Sequence, residues 1–420
     1  MHAKSFVIFA LGAACCAGAM GQTKPGLDLT TFVVMGEGLA AGMGNFGLSA
    51  ALQNFSFPAQ AAAQMKTALV QPLMEPPGIG DVVGYPGQEV RLQTYPQGAV
   101  RTFYTTGTSL VAAPSVFITN LSVPGLTLAD SVSLRPVAPI AQRNMKQTVV
   151  NMILGFPQLF LDRVQLWDQF EYAKAMFPTV VLIELGYYEA LNAAVNLDPT
   201  QLPDPNTFGA TYASIVSGLR GMQAQVICTT IPNPLDTAYF SSPTTAASIT
   251  ATEPFVITAG YQITPQDYLT RNALMTISNQ FTNGAIAPLP AGSVLTAATA
   301  ATLTTGINAL NAQIQAVAKA NGAVVYDLAA FLHNVKLSGA STGTSTITAD
   351  YLGGFYTLDA VYPGPTGNAL IANDFLTFMN STYHQSFPLT TVSSVAASDP
   401  VSTYLKPHGK TFTARSLGIQ

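Results

Sequence analysis

Charge is sparse in this 420-residue chain, where Asp, Glu, Lys and Arg together make up 9%, against about 25% in ordinary soluble domains. With 48% of the residues hydrophobic, that excludes a chain held open by its own charge and makes a large core easy to build. Basic residues are the scarcer kind, 17 against 21 acidic, so the net charge is −4 and nucleic acid finds no basic footprint. Cysteine is nearly absent. Of the three, Cys15 and Cys16 lie in an N-terminal apolar run, so a chain that loses the run keeps Cys228 alone and has no internal disulfide. Cys228 sits in the apolar stretch Gln225 to Ile231 and reads as a buried thiol rather than a nucleophile. No His, Cys, Asp and Glu residues have metal-ligand spacing, so neither metal nor cofactor is expected. Nor does any Asp or Glu occur between Glu37 and Glu75. The turn Gly36-x-Gly38-x-x-x-Gly42 therefore lacks the acidic partner that a dinucleotide-binding turn needs about 20 positions on.

The N-terminus reads as an export signal. His2 and Lys4 make a weakly basic start, Phe6 to Met20 is apolar, and Ala17-Gly18-Ala19 or Ala19-Met20-Gly21 offers a small-residue cleavage region. The expectation is a signal peptide over residues 1–21 and an exported, periplasmic or secreted protein. Lipid attachment at Cys15 or Cys16 is the alternative, although Leu11 is one residue too far from Cys15 for a good lipid-attachment box. The run is too short for a comfortable membrane span, and no later stretch is long and apolar enough.

Thr31 to Met35 is an uncharged β-branched and aromatic run, which reads as a buried strand. It breaks into Gly36-Glu37-Gly38 and resumes as a small-residue segment able to start a helix. A strand, a tight turn and a helix place Gly38 at the strand's carboxyl end, where open α/β sheets carry their sites. Leu48 to Val70 reads as mostly helical, with Pro58 in a first turn. Gln71 to Pro96 is rich in Pro and Gly and reads as a long irregular surface loop. Further strands are expected at Ser115–Thr119, Thr179–Leu185, Gln225–Ile231 and Ala323–Leu328, with helices from Leu128, over Asn206–Met222, around Ile307–Val317 and from Thr366. Residues 241–305 read as a Ser/Thr/Ala-rich insertion with one helical piece, Pro265 to Ile277, and residues 381–420 as a polar tail with edge strands at most. Strands alternating with helices predict a mostly parallel five-stranded sheet covered on both faces.

Three strand-end loops and one later turn carry a resemblance. In chain order, Gly36-Glu37-Gly38-Leu39, Asn120 to Gly125, Gly186-Tyr187-Tyr188-Glu189 and Gly353 to Phe375 resemble the sequence blocks of the GDSL (SGNH) hydrolases. The resemblance covers about Thr31 to Phe378, with the insertion extra, and is strongest in GGFYTLDAVYPGPTGNALIANDF. It implies a flavodoxin-like three-layer α/β/α domain over residues 28–380, and the chemistry of an esterase or lipase.

The catalytic residues do not follow. The family's nucleophilic serine falls on Gly38, its oxyanion asparagine on Tyr188 and its general-base histidine on Tyr362, with Glu189 in place of the aspartate after the asparagine. What remains is Gly125, whose N–H would serve an oxyanion, and Asp359, which would have oriented the histidine. Acyl transfer by this route needs a hydroxyl, a base and oxyanion donors. Glycine has no hydroxyl, and a phenol with pKa near 10 makes a poor base at neutral pH. The resulting expectation is a pseudo-hydrolase whose former cleft, lined by Glu37, Gly38, Tyr188, Glu189 and Tyr362, binds a lipid-like or carbohydrate-like small molecule. Two alternatives accompany it. One is a cleft that Tyr188 and Tyr362 simply fill; the other is an active ester hydrolase with a displaced catalytic set, although His333, His384 and His408 fall in no matching block.

Overall fold

The computed structural model describes residues 27–399 apart from 77, 84–88, 92–100, 104–116 and 160–165. The expected signal peptide with Cys15 and Cys16, parts of the 71–96 loop, the first two residues of the Ser115–Thr119 strand, and residues 400–420 with His408 lie outside the described residues.

Four short strands make a parallel sheet in the order β1 (Phe32–Gly36), β2 (Val180–Glu184), β3 (Gln225–Thr229), β4 (Val324–Tyr326). The register pairs Gly36 with Glu184 at the carboxyl end. Side chains alternate across the sheet as the two-residue strand period requires. Phe32, Val34, Val180 and Leu182 enter one core, and Val33, Met35, Val181 and Ile183 the other. Both faces are buried, which explains why these strands read as continuous apolar runs rather than alternating ones.

Helices cover both faces. They include α1 (Gly38–Ala41), α2 (Phe57–Met65), α3 (Met145–Ile153), α4 (Gln169–Ala175), α5 (Tyr187–Val195), α6 (Pro205–Gly221), α7 (Ala297–Asn321), α8 (Leu328–Ser338) and α9 (Pro365–Tyr383). Pro58 occupies the first turn of α2 as expected, and α6 and α9 start within a residue of their predicted positions.

The sheet has four strands among the described residues, not five. The segment 119–123 still lies along β1: Val34 N–H donates to Thr119 O at 2.9 Å, Leu121 N–H to Val34 O at 2.8 Å, and Val123 N–H to Gly36 O at 3.1 Å. It fills the fifth position as an extended chain with a single parallel bridge, Val34 to Asn120. Residue 128 starts no α-helix; a single 3-10 turn, Asp130–Val132, follows instead.

Two regions carry more structure than expected. The insertion holds three helices, Pro243–Ile249, Pro254–Tyr261 and Arg271–Thr282, and a small antiparallel sheet of Phe240–Ser241, Tyr268–Thr270 and Val294–Leu295. Side-chain caps at Ser242 and Thr270 start two of those helices, a local signal that low charge and Ser/Thr content obscured. The edge of the long loop pairs Glu89–Arg91 with Arg101–Phe103 in antiparallel fashion. The tail is also tied down as far as residue 399. It forms the helix Val392–Ser398, and the buried Asp399 carboxylate accepts from Thr366 N–H at 2.9 Å and Thr366 Oγ1 at 2.7 Å, capping α9.

Candidate functional site

The carboxyl ends of β1 and β2 face the loop before α9, and there the expected residues meet. That loop is a tight turn. Ala360 takes φ +69°, Thr357 N–H donates to Tyr362 O at 2.9 Å, and Ala360 N–H to Thr357 O at 2.9 Å. Asp359 holds it, one oxygen accepting from Val361 and Tyr362 N–H at 3.0 Å each and the other from Phe46 N–H at 3.3 Å. A left-handed alanine costs on the order of 1 kcal/mol or more and persists where its surroundings over-determine it; three N–H groups on one buried carboxylate do so here.

That turn drives Tyr362 inward. The residue is 1% exposed, its hydroxyl donates to Glu37 Oε2 at 3.2 Å, and its ring meets Tyr187 edge-on with centroids 6.3 Å apart. Tyr187 is fixed in turn by its hydroxyl, which donates to Val361 O at 3.0 Å. A Cβ placed on Gly38 would lie 2.6 Å from the Tyr362 hydroxyl oxygen and 2.7 Å from the adjoining ring carbon. Contacts that short do not occur, so the Tyr362 ring occupies the volume any side chain at position 38 would need.

Glu37 is fully buried and caps α1, accepting from Leu39 N–H at 2.8 Å. Burial pushes its carboxyl up to about 7, opposed by the N–H groups of Leu39 and Gly38, the Tyr362 hydroxyl and the Gly125 N–H. The Gly125 N–H that the resemblance assigns to an oxyanion thus serves the chain's own carboxylate, together with the Gly38 N–H. Burial, and then the charge of Glu37, raise the Tyr362 phenol well above its ordinary value, so it stays protonated and serves as a donor, not a base.

Tyr188 is half-buried and lies against Gly125, where an added Cβ would sit 3.8 Å from its ring. Gly125 takes φ +81°, which favours glycine. The Lys146 ammonium lies 5.7 Å from the Tyr188 ring centroid and pairs with Asp130. Glu189 reaches the neighbouring loop, where its Oε1 accepts from Leu128 N–H at 2.6 Å while its buried Oε2 has no partner. Burial raises this carboxyl to about 7 as well.

All seven predicted positions therefore converge: Glu37, Gly38, Gly125, Tyr188, Glu189, Asp359 and Tyr362. Asp359 differs in role from the expectation, since it binds backbone N–H groups of its own turn and of Phe46 rather than orienting a base. Sequence reasoning missed Glu184, the one acid in the apolar run TVVLIEL. It is 1% exposed, its Oε2 accepts from Glu37 and Ala40 N–H at 3.2 Å each, and burial together with the Glu37 charge raises its carboxyl well above the usual range. A lone carboxylate ending a strand buried on both faces was the available signal.

Elsewhere, His333 Nδ1 lies 3.1 Å from both oxygens of Asp236, and His384 forms the C-cap of α9. Among the described residues no group of His, Cys, Asp and Glu could hold a metal ion, and no helix is long and apolar enough to cross a membrane. No protein-family model matches this chain, and no curated protein matches it.

Proposed function

We propose that the chain is an exported, GDSL-like α/β/α protein of flavodoxin-like topology that has given up ester hydrolysis and binds a small molecule at the rim of the former cleft. The observation that carries this reading is the steric exchange at its centre. Tyr362 fills the side-chain volume of position 38 and donates its proton to Glu37, so nucleophile and base are replaced by one hydrogen-bonded plug. The order of the four motif blocks and the convergence of their residues support the fold-level part. The expected ligand is lipid-like or carbohydrate-like, held against the half-buried Tyr188 ring, whose flat face suits sugars and acyl chains alike. Hydrolysis through a displaced set would need a nucleophile beside a histidine, and His333 directs its Nδ1 to Asp236.

Hydrolysis of short and medium p-nitrophenyl esters tests the reading. The wild type should not exceed the blank, while the double variant Gly38→Ser/Tyr362→His should gain measurable turnover, because the smaller ring makes room for the serine. Wild-type turnover that survives repurification and is lost in Glu37→Gln would overturn it.

A further inference from the structure

Each buried glutamate at this end of the sheet ties down a different piece of backbone. Glu184, on β2, holds the turn after β1 through Glu37 and Ala40 N–H. Glu37 holds that turn's Leu39 N–H and reaches Tyr362 in the loop before α9. Glu189, on α5, holds Leu128 in the loop that carries Gly125. Three carboxyls thus staple three loops, and all three are at least nine-tenths buried. One staple is incomplete, because Glu189 Oε2 is buried without a partner. A carboxyl in that position is penalised far more as an anion than as a neutral acid.

We propose that Glu37, Glu184 and Glu189 form a proton-operated latch that keeps the loops closed over the Tyr188 rim when neutral and loosens the 120–128 loop from α5 when ionised.

The groups facing the latch reinforce that direction. Glu37 meets Glu184 from β2 and Glu189, Tyr187 and Tyr188 from α5, while Asp359 and Tyr362 face it from the loop before α9. Asp130 adds a further negative charge near Glu189 and Tyr188, and Asp81 near Tyr188. Lys146, which lies over the Tyr188 ring, is paired with Asp130. Ionising one glutamate therefore meets desolvation and like charge together. Any opening that hydrates a carboxyl restores its ordinary affinity for the proton. Between a carboxyl's ordinary titration and its raised buried one, the open state then gains about tenfold per pH unit for each carboxyl released, and the gain levels off above the buried titration.

The latch rests on the cleft reading only in treating the rim as a ligand entrance, and its test needs no ligand. Amide hydrogen exchange of the whole chain at pH 5.5, 7 and 8.5, with labelling times scaled to the intrinsic rate, reads local opening directly. Protection of residues 119–130 should fall at least about tenfold between pH 5.5 and 8.5 in the wild type and stay below that of α6, whose exchange is bounded by global unfolding. Glu189→Gln should remove most of the fall, and Glu184→Gln serves as a second isosteric variant should the first misfold. An unchanged wild-type profile, protection of residues 119–130 equal to that of α6 throughout, or an equal fall in the glutamine variants would each overturn the latch. A silent esterase assay would leave it standing.

Discussion

The plug can be tested without any substrate, by a double-mutant cycle at Gly38 and Tyr362. Gly38 opens α1 and has no left-handed backbone, so alanine there should by itself stabilise the fold by about 0.5–1 kcal/mol through the unfolded chain. Its Cβ would, however, lie 2.6 Å from the Tyr362 hydroxyl and 2.7–2.8 Å from two ring carbons. That ring is held by the Glu37 hydrogen bond, by Tyr187 and by a rigid turn, so it cannot yield cheaply. Overpacking of this kind costs about 1–3 kcal/mol, and Gly38→Ala should therefore destabilise the wild type. Tyr362→Ala alone empties a buried aromatic site and should cost about 3–5 kcal/mol. In the combined variant the clash is gone and the alanine gain returns, giving a favourable coupling of about 1–3 kcal/mol. Urea unfolding of the four proteins at pH 6 measures it. A coupling within about 0.5 kcal/mol of zero, or a wild type stabilised by Gly38→Ala, would refute the claim that Tyr362 occupies this volume.

Two further outcomes follow from the same geometry. Asp359→Ala leaves the N–H groups of Phe46, Val361 and Tyr362 without their buried acceptor, and should lower stability by about 2–4 kcal/mol in urea unfolding. The Glu189 carboxyl titrates at about 7 when folded, above its ordinary 4.5, so its stabilising contribution is complete below about pH 4.5 and lost as the pH rises through 7. At 1.36 kcal/mol per pH unit, the wild type should lose about 3 kcal/mol relative to Glu189→Gln between pH 4.5 and 8.5, and parallel stability profiles of the two would contradict it.

The parts of the fold legible in the sequence were those with one dominant signal. TVVLIEL, apolar but for Glu184 and ended by Gly186, and QVICTTI, ended by Pro232, are the runs that contain β2 and β3. The insertion was harder, because its helices start from Ser and Thr caps inside a segment where Ser and Thr are everywhere, so the caps do not stand out. The fifth strand position was misjudged for another reason. Residues 119–123 donate to and accept from β1, but where a second bridge would close, the Gln169 side chain donates to Gly36 O and Leu121 O at 2.8 Å each. At the site, which residues converge was legible from motif order, whereas their roles were not. Asp359 looks like an orienting carboxylate in sequence, and only the turn around Ala360 reveals that its oxygens are taken by backbone N–H groups.

Positions 38 and 362 are physically coupled. A serine at position 38 and a tyrosine at position 362 cannot share the volume that the 2.6 Å distance describes, so Tyr362 excludes a side chain at position 38. Once the glycine admits the ring, the phenol needs an acceptor in a dry site. Glu37 supplies it, turning its carboxylate inward to accept from Tyr362, while the Gly38, Leu39 and Gly125 N–H groups favour its charged form. Gly38→Ser alone would thus place a hydroxyl against a ring, and Tyr362→His alone an imidazole opposite a bare glycine. On the proposed reading, ester hydrolysis has to be introduced at both positions together, and the buried glutamate must then be displaced from the donors an oxyanion would use.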